Sequence, residues 1–347
     1  MVTIKDVARA AGVSVATVSR AHNNSRLVTE ATRTRVRAVV ERLGYSPHAA
    51  ARSLSTHRTS TLGVLLPDLY GEFYSELIRG IDQTAQRHGF HLLVASSHNE
   101  KHAIEAALQS MRGRVDGLIV MSPAPGAYLA VRDLPASFPV VLLNSAATGE
   151  AFDALTIDNA RGAYEMVRHL IALGHRRIVM ISGPERNSDA AERLGGFRAA
   201  VRDAGLDGRA TLEVAGEFTD SSGFEACLEL LRCAPRPTAI FAANDAMAIG
   251  ALSALREAGV AVPQEIAVAG FDDIPMARYT HPPLSTVRVD IVALGARATE
   301  RLLEAVGNHH RHRRRRERLP VTLVIRESCG GGGHAPRWSF TSEEGLS

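Results

Sequence analysis

Apolar positions recur at helical spacing through the first 45 residues. Ile4, Val7, Ala8 and Ala11 fall on one face of a helix. Gly12 interrupts that face where a sharp turn calls for positive φ. Ser14 stands at an N-cap position, and Val15, Val18 and Ala21 suit an amphipathic second helix. Small Ala8 lets the two helices approach closely. Val36, Val39, Val40 and Leu43 form a third stripe, capped by Thr29 and stopped at Gly44. Two short helices joined by a tight turn, with a third behind them, predict a helix-turn-helix unit. That motif lays its second helix in a DNA major groove.

From Thr61 the pattern changes to alternating strands and helices. Short apolar runs predict strands at 62–66, 91–95, 117–121, 140–144, 154–157, 177–181, 212–214, 239–243, 266–270 and 321–325. Amphipathic stretches between them predict helices at 73–88, 102–111, 161–173, 192–204, 222–231, 246–258 and 291–306. Such regular alternation predicts α/β architecture, with parallel sheets covered by helices on both faces. Between the two textures lies an Ala-rich segment from Ser46 to Leu54, with Pro47 suited to a first helical turn. So short a helix is marginal by itself. A polar linker, 56–60, follows.

Composition adds an asymmetry. Residues 1–60 carry ten Lys/Arg and three Asp/Glu, so the N-terminal part holds a net charge of +7 while the whole chain is only +3. A basic module on a mildly acidic body points to a nucleic-acid partner for the first part. No apolar run approaches the roughly 20 residues of a membrane span, and Lys5, Asp6 and Arg9 interrupt any leader-like apolar stretch. The expected location is the cytoplasm. Cys227, Cys233 and Cys329 lack metal-ligand spacing and are expected to be reduced thiols. No cofactor or metal is expected, and no catalytic motif appears in a suitable context.

The second helix specifies candidate DNA contacts. Val15 and Ala16 offer only apolar contact to base edges, such as a thymine methyl, whereas Arg20 can donate two hydrogen bonds to a guanine. Thr3, Ser14, Thr17, Ser19 and Asn23 are candidate phosphate contacts, which position without specifying.

Several collinear stretches resemble the lac/galactose repressor family of bacterial transcription regulators. They are Ile4-Lys5-Asp6-Val7-Ala8 with Ala11-Gly12-Val13-Ser14 and Thr17-Val18-Ser19-Arg20, then Gly44-Tyr45-Ser46-Pro47 with Ala51-Arg52-Ser53-Leu54, Gly174-His175-Arg176-Arg177-Ile178, Arg193-Leu194-Gly195-Gly196-Phe197, Ala243-Asn244-Asp245-Ala246-Met247-Ala248, Gly270-Phe271-Asp272-Asp273 and Arg326-Glu327-Ser328. The resemblance covers about residues 3–328. It implies a DNA-binding domain at 1–58 with a hinge helix at about 47–55. It further implies a periplasmic-binding-protein-like, doubly wound α/β effector domain at 59–330, and a flexible tail at 331–347. The effector domain would divide into two subdomains, about 60–158 with 291–318, and 159–288 with 319–330.

The implied function is a homodimeric, ligand-responsive repressor on double-stranded, pseudo-palindromic operator DNA, with no membrane partner. Leu54 is implied as a minor-groove wedge, with Ala51 beside it. His48 stands where the family commonly has asparagine, so its contact is open. Arg193, Asn244 and Asp272 match the family's effector-binding positions, a donor and acceptor set suited to a sugar or nucleoside-like molecule. Phe218 and Asn144 face the same cleft by analogy, and Asp68, Phe73 and Tyr74 join from the first strand's exit loop. The Arg/His run at 309–318 is expected to be a solvated, mobile surface insertion. A sugar-binding transport protein would share the fold of 61–328 but not the N-terminal unit.

Overall fold

The computed structural model describes residues 2–22, 27–45, 58–98, 100–121, 131–135, 137–145, 151–206, 211–308 and 312–331. The chain divides into two compact units, 1–60 and 61–347.

Among the described residues the first unit holds three helices: α1 (Ile4–Ala11), α2 (Val15–His22) and α3 (Glu30–Leu43). Thr3 opens α1, donating from its backbone N–H and its hydroxyl to Asp6 Oδ2 at 2.9 and 2.7 Å. Gly12 ends α1 at φ +62° in the left-handed region, the conformation the turn demands. Ser14 then caps α2, its Oγ accepting from Thr17 N at 3.1 Å. Val7, Ala8, Ala11, Val18, Ala21, Val28, Val36 and Val39 make the core. The segment that carries the expected hinge helix, with His48, Ala51 and Leu54, lies outside the described residues, as do Asn23 and the tail from 332.

Among the described residues the second unit contains two six-stranded sheets. The first comprises β1 (Thr61–Leu66), β2 (His91–Ser96), β3 (Gly117–Met121), β4 (Val140–Leu143), β5 (Asp153–Ile157) and β11 (Arg316–Leu319), in the order β11-β5-β4-β3-β1-β2, all parallel. The second comprises β6 (Ile178–Ser182), β7 (Thr211–Ala215), β8 (Ala239–Ala242), β9 (Ala267–Asp272), β10 (Ser285–Arg288) and β12 (Thr322–Val324), in the order β12-β10-β9-β8-β6-β7. Only β12 runs antiparallel, against β10, among the described strands. Central strands such as β3 and β9 are buried along their whole length, as sheets covered on both faces require.

The covering helices are α4 (Glu72–Arg87), α5 (Lys101–Met111), α6 (Asn159–Ala172), α7 (Ser188–Asp203), α8 (Asp220–Leu230), α9 (Asp245–Glu257) and α10 (Ile291–Gly307). Among the described residues the chain passes between the sheets from β5 into α6, from β10 into α10, and from β11 into β12.

Two strands escape the hydrophobic pattern. In β10 the fully buried positions Ser285 and Thr286 are polar, and their hydroxyls are satisfied by Arg326 O and Asp245 Oδ1. The correction at β11 is larger. Residues 312–319 are not a mobile insertion: 316–319 is an edge strand paired with β5. Its Arg-Glu-Arg-Leu alternation turns Glu317 and Leu319 inward and Arg316 and Arg318 outward. Glu317 is drawn in by Arg301 and Arg297 of α10. His309 and His310 lie outside the described residues.

Candidate effector cleft and DNA-reading helix

In both sheets the strand order reverses, between β1 and β3 in the first and between β6 and β8 in the second. Loops diverge beyond the strand C-termini at such points and leave a crevice. A cavity of about 100 Å³ lies there, lined from the first sheet by Tyr70–Tyr74 and Met121. From the second sheet it receives Asn187, Asp189, Arg193, Phe218, Asn244, Ala246, Asp272 and Ile274.

Arg193 organises this cavity. It is 3% exposed, a level that a guanidinium tolerates only when paired. Its Nε donates to Asn159 Oδ1 at 2.9 Å and its Nη1 to Ala243 O at 2.6 Å. Its Nη2 lies 3.0 Å from Asp272 Oδ1. That last contact is an ion pair off the hydrogen-bond direction, so Asp272 Oδ1 keeps an unused acceptor site. The guanidinium also sits 3.8 Å from the Phe271 ring centroid and 5.9 Å from that of Phe218. Gly183 leaves room for the Phe218 ring, since a Cβ there would overlap its edge.

Two buried carboxylates, Asp189 and Asp272, share the charge of Arg193, and a third, Asp245, feels the charge of Asp272. Burial pushes Asp189 up to about 6, with Arg193 opposing and Glu192 and Asp272 adding. Burial pushes Asp272 up to about 6 against the pull of Arg193. Burial, then the charge of Asp272, pushes Asp245 well above the ordinary carboxylate range. Burial, then the charges of Asp68, Asp189 and Asp272, raises the Tyr74 phenol, which therefore stays protonated as a donor.

Asn144, Phe218 and Asp272 adopt φ of +46°, +61° and +113°. Non-glycine residues in that region cost on the order of 1–3 kcal/mol each and cluster at functional sites. Asn144 also leaves its buried Oδ1 without a partner. Among the described residues, polar links bridge the sheets: Asn144 Nδ2 donates to Asp189 Oδ2 at 3.0 Å, Ser188 Oγ to Asn144 O at 3.5 Å, and Met276 N to Glu72 Oε2 at 2.8 Å.

The structure therefore brings Phe73, Tyr74, Arg193, Phe218, Asn244 and Asp272 to one cavity. Asn244 also caps α9, accepting from Met247 N and donating to Phe218 O. Asn144 stands one contact behind, against Asp189. Asp68 does not line the cavity; its exposed carboxylate accepts from Leu69 N and Tyr70 N as a turn residue.

In the first unit, α2 buries Val18 and Ala21 and presents Val15, Ala16 and Arg20 to solvent, with Thr17 and Ser19 half-buried. Val15 is 40% exposed, an apolar side chain unsupported by packing. The hydroxyls of Thr3 and Ser14 are engaged by Asp6 and by Thr17.

Residues 3–48 match the lacI family of bacterial regulatory proteins, and residues 167–329 match a periplasmic binding protein-like domain. The ribose operon repressor of Escherichia coli K12 is 36% identical over 327 residues, 93% of this chain and 98% of that protein. The chain belongs to the lacI family. A crystal structure of the lac repressor dimer bound to operator and the anti-inducer ONPF superposes with a TM-score of 0.84 at 30% identity, covering 94% of this chain and 99% of that one. A LacI family transcriptional regulator from Enterococcus faecium with bound ribose gives 0.71 at 29% identity, covering 77% and 98%. As a lacI-family member the chain is a ligand-responsive transcriptional regulator. No helix among its described residues is long and apolar enough to cross a membrane.

Within this lacI-family cleft, sequence reasoning misses Asp189, Asn159, Glu72 and Met121. Asp189 reads as an ordinary first-turn acid behind the Asn187 cap. Its partners Asn144 and Asn159 are 45 and 30 residues away, so only the fold brings them together.

Proposed function

We propose that this chain represses transcription as a homodimer on a pseudo-palindromic operator, in the cytoplasm, and is switched by a single sugar ring held between the two sheets. The observation that carries the reading is Arg193 and its ring of buried acids, with strained Phe218 and Asp272 around one cavity. Ionised carboxylates accept from vicinal hydroxyls, Arg193 donates, and the faces of Phe218 and Phe73 suit the apolar face of a ring. A water needs about 10–15 Å³ of such space, so about 100 Å³ suits a pentose or hexose better than a disaccharide. The ribose bound by the Enterococcus faecium regulator makes ribose the first probe.

The relatives that the chain matches are repressors and transcriptional regulators, which supports binding without turnover. At the other end, Arg20 reads a guanine, Val15 and Ala16 read methyl groups, and Thr3, Ser14, Thr17, Ser19 and Asn23 position the helix on phosphates. Leu54, with Ala51 and His48 nearby, would wedge the minor groove and bend the duplex. Thermal unfolding of the full chain with ribose, other aldopentoses and aldohexoses, and nucleosides tests the cleft. A specific ligand at 100 times its Kd adds about 2.7 kcal/mol. A panel in which no sugar raises the Tm, while a nucleoside does, replaces the sugar reading.

A further inference from the structure

We propose that the effector is a cation: an amino sugar, a single ring whose protonated amine answers the excess negative charge of Asp189, Asp272 and Glu72. The proposal rests on the reading of the cleft as a site for one sugar ring, and it narrows the chemistry of that ring. Among the described lining residues the charged groups are three acids, Glu72, Asp189 and Asp272, and one base, Arg193. Three acids against one base leave two negative charges in excess when all are ionised. A neutral sugar does nothing to that imbalance.

Arg193 cannot balance all three. Its Nε and Nη1 are committed to Asn159 and Ala243 O, and its Nη2 pairs with Asp272. Among the described residues the ion pairs at this cavity stop there. Asp189 accepts from the neutral amides of Asn144 and Asn159 at 3.0 Å each, and Glu72 from Met276 N at 2.8 Å. The arginines nearest to Asp272 in the chain, Arg278 aside, serve elsewhere: Arg288 and Arg326 both bind Asp273. Asp189 is 8% exposed, and a carboxylate offers about four acceptor sites, of which it uses two. Asp272 is 5% exposed, lines the cavity, and leaves Oδ1 without a hydrogen bond. Burial pushes both acids up to about 6, and Glu192 and then Asp272 add to the rise at Asp189. The two acids therefore share one poorly solvated space.

The choice between a hydroxyl and an ammonium follows from that setting. A neutral ring closing over Asp189 strips water from a carboxylate and supplies no counter-charge, which is the costly way to bury an ion. An ammonium brings three N–H donors and a unit of positive charge to the same place, where the low dielectric strengthens the attraction. The faces of Phe218, Phe73 and Tyr74 around the cavity suit a cation as well as they suit the apolar side of a ring. Among the described residues the acids do not converge closely enough to hold a metal ion. The counter-charge they suit is therefore carried on a larger molecule, of the size of one ring.

The test is calorimetric titration of the full-length protein at pH 7 with matched sugars. Glucose, galactose, mannose and ribose are each set beside the 2-amino-2-deoxy counterpart and its N-acetyl form. Within a pair one hydroxyl becomes an ammonium with little change of shape, and acetylation removes the charge again. At least one amino sugar is expected to bind at least about tenfold more tightly than both of its neutral partners, a difference of about 1.4 kcal/mol. Asp189→Asn and Glu72→Gln each keep an acceptor oxygen and lose a charge, so each should reduce that preference severalfold. Glu76→Gln, one turn along α4 and outside the cavity lining, should leave the preference unchanged. A neutral sugar that binds as tightly as its amino counterpart overturns the proposal and leaves the single-ring reading standing. So does a preference that survives both substitutions, or one that Glu76→Gln lowers equally. A panel in which no sugar of either kind binds overturns both readings.

Discussion

The two units solve opposite problems. The small unit buries eight apolar side chains and leaves its candidate functional groups at the surface. Val15, Ala16 and Arg20 are exposed, so meeting a partner there exchanges one polar environment for another. The large unit hides Arg193, Asp189 and Asp272 almost completely, and sets Phe218 and Asp272 in disfavoured backbone conformations. Its groups are already desolvated and directed before any ligand arrives. The first arrangement gives affinity that depends on salt and sequence. The second gives affinity that depends on pH and on a close match of hydroxyls to acceptors.

Substitutions can break that contrast. The largest expected effect is Arg193→Ala, which leaves Asp189 and Asp272 buried without their cation. Breaking a buried pair costs about 3–5 kcal/mol, measurable by urea unfolding at pH 7. The deficit should shrink at pH 5, where both acids take up protons. A loss under about 1 kcal/mol at pH 7 would mean that the acids are solvated and the contrast is false. Arg20→Ala should leave stability within about 0.5 kcal/mol and remove about 1–3 kcal/mol of operator discrimination, with little change in non-specific binding. Equal loss of both affinities would reduce Arg20 to a phosphate contact.

Acid is the next probe. Asp189 and Asp272 titrate near 6 in the fold against 3.8 in the open chain. The native protein therefore binds more protons than the unfolded chain between about pH 4 and 6. The stability these two groups contribute is present below pH 4 and is lost as pH rises through 6. Sugar binding should run the other way, weakening about tenfold between pH 7 and 5 for each ionised acceptor needed. Calorimetric titration across that range checks it, and a flat profile would remove both acids from the contact set. The smallest effect is Phe218→Leu, expected to weaken sugar binding severalfold by removing an aromatic face worth about 0.5–1.5 kcal/mol. An unchanged Kd would leave the ring as a support for Arg193 alone.

The same contrast governs what the sequence reveals. The small unit is legible residue by residue, because caps and turns such as Ser14, Gly12 and Gly44 act over three or four positions. The alternation of strands and helices is legible too, wherever buried strands are apolar. It fails at β10, whose core positions are Ser285 and Thr286, and at β11, whose alternation is written in charges. Arg193, Asn244 and Asp272 are found by resemblance, since each sits in a recognisable local motif. Asp189 and Asn159 are not, because their roles exist only once β5, α6 and α7 meet. Asp68 follows β1 as a cleft residue should, and its carboxylate accepts from the backbone of its own turn.

The central claim is that the buried cleft controls the exposed helix. The most direct measurement is operator affinity of the full-length dimer with and without a saturating sugar found by thermal shift, for the unaltered chain and for Asp272→Asn. The account predicts a 5- to 150-fold change in operator affinity, the range of ordinary allosteric coupling. In Asp272→Asn that change should disappear at the same sugar concentration, with the sugar-free affinity intact. A sugar that stabilises the fold yet leaves operator affinity the same in the unaltered chain would contradict it.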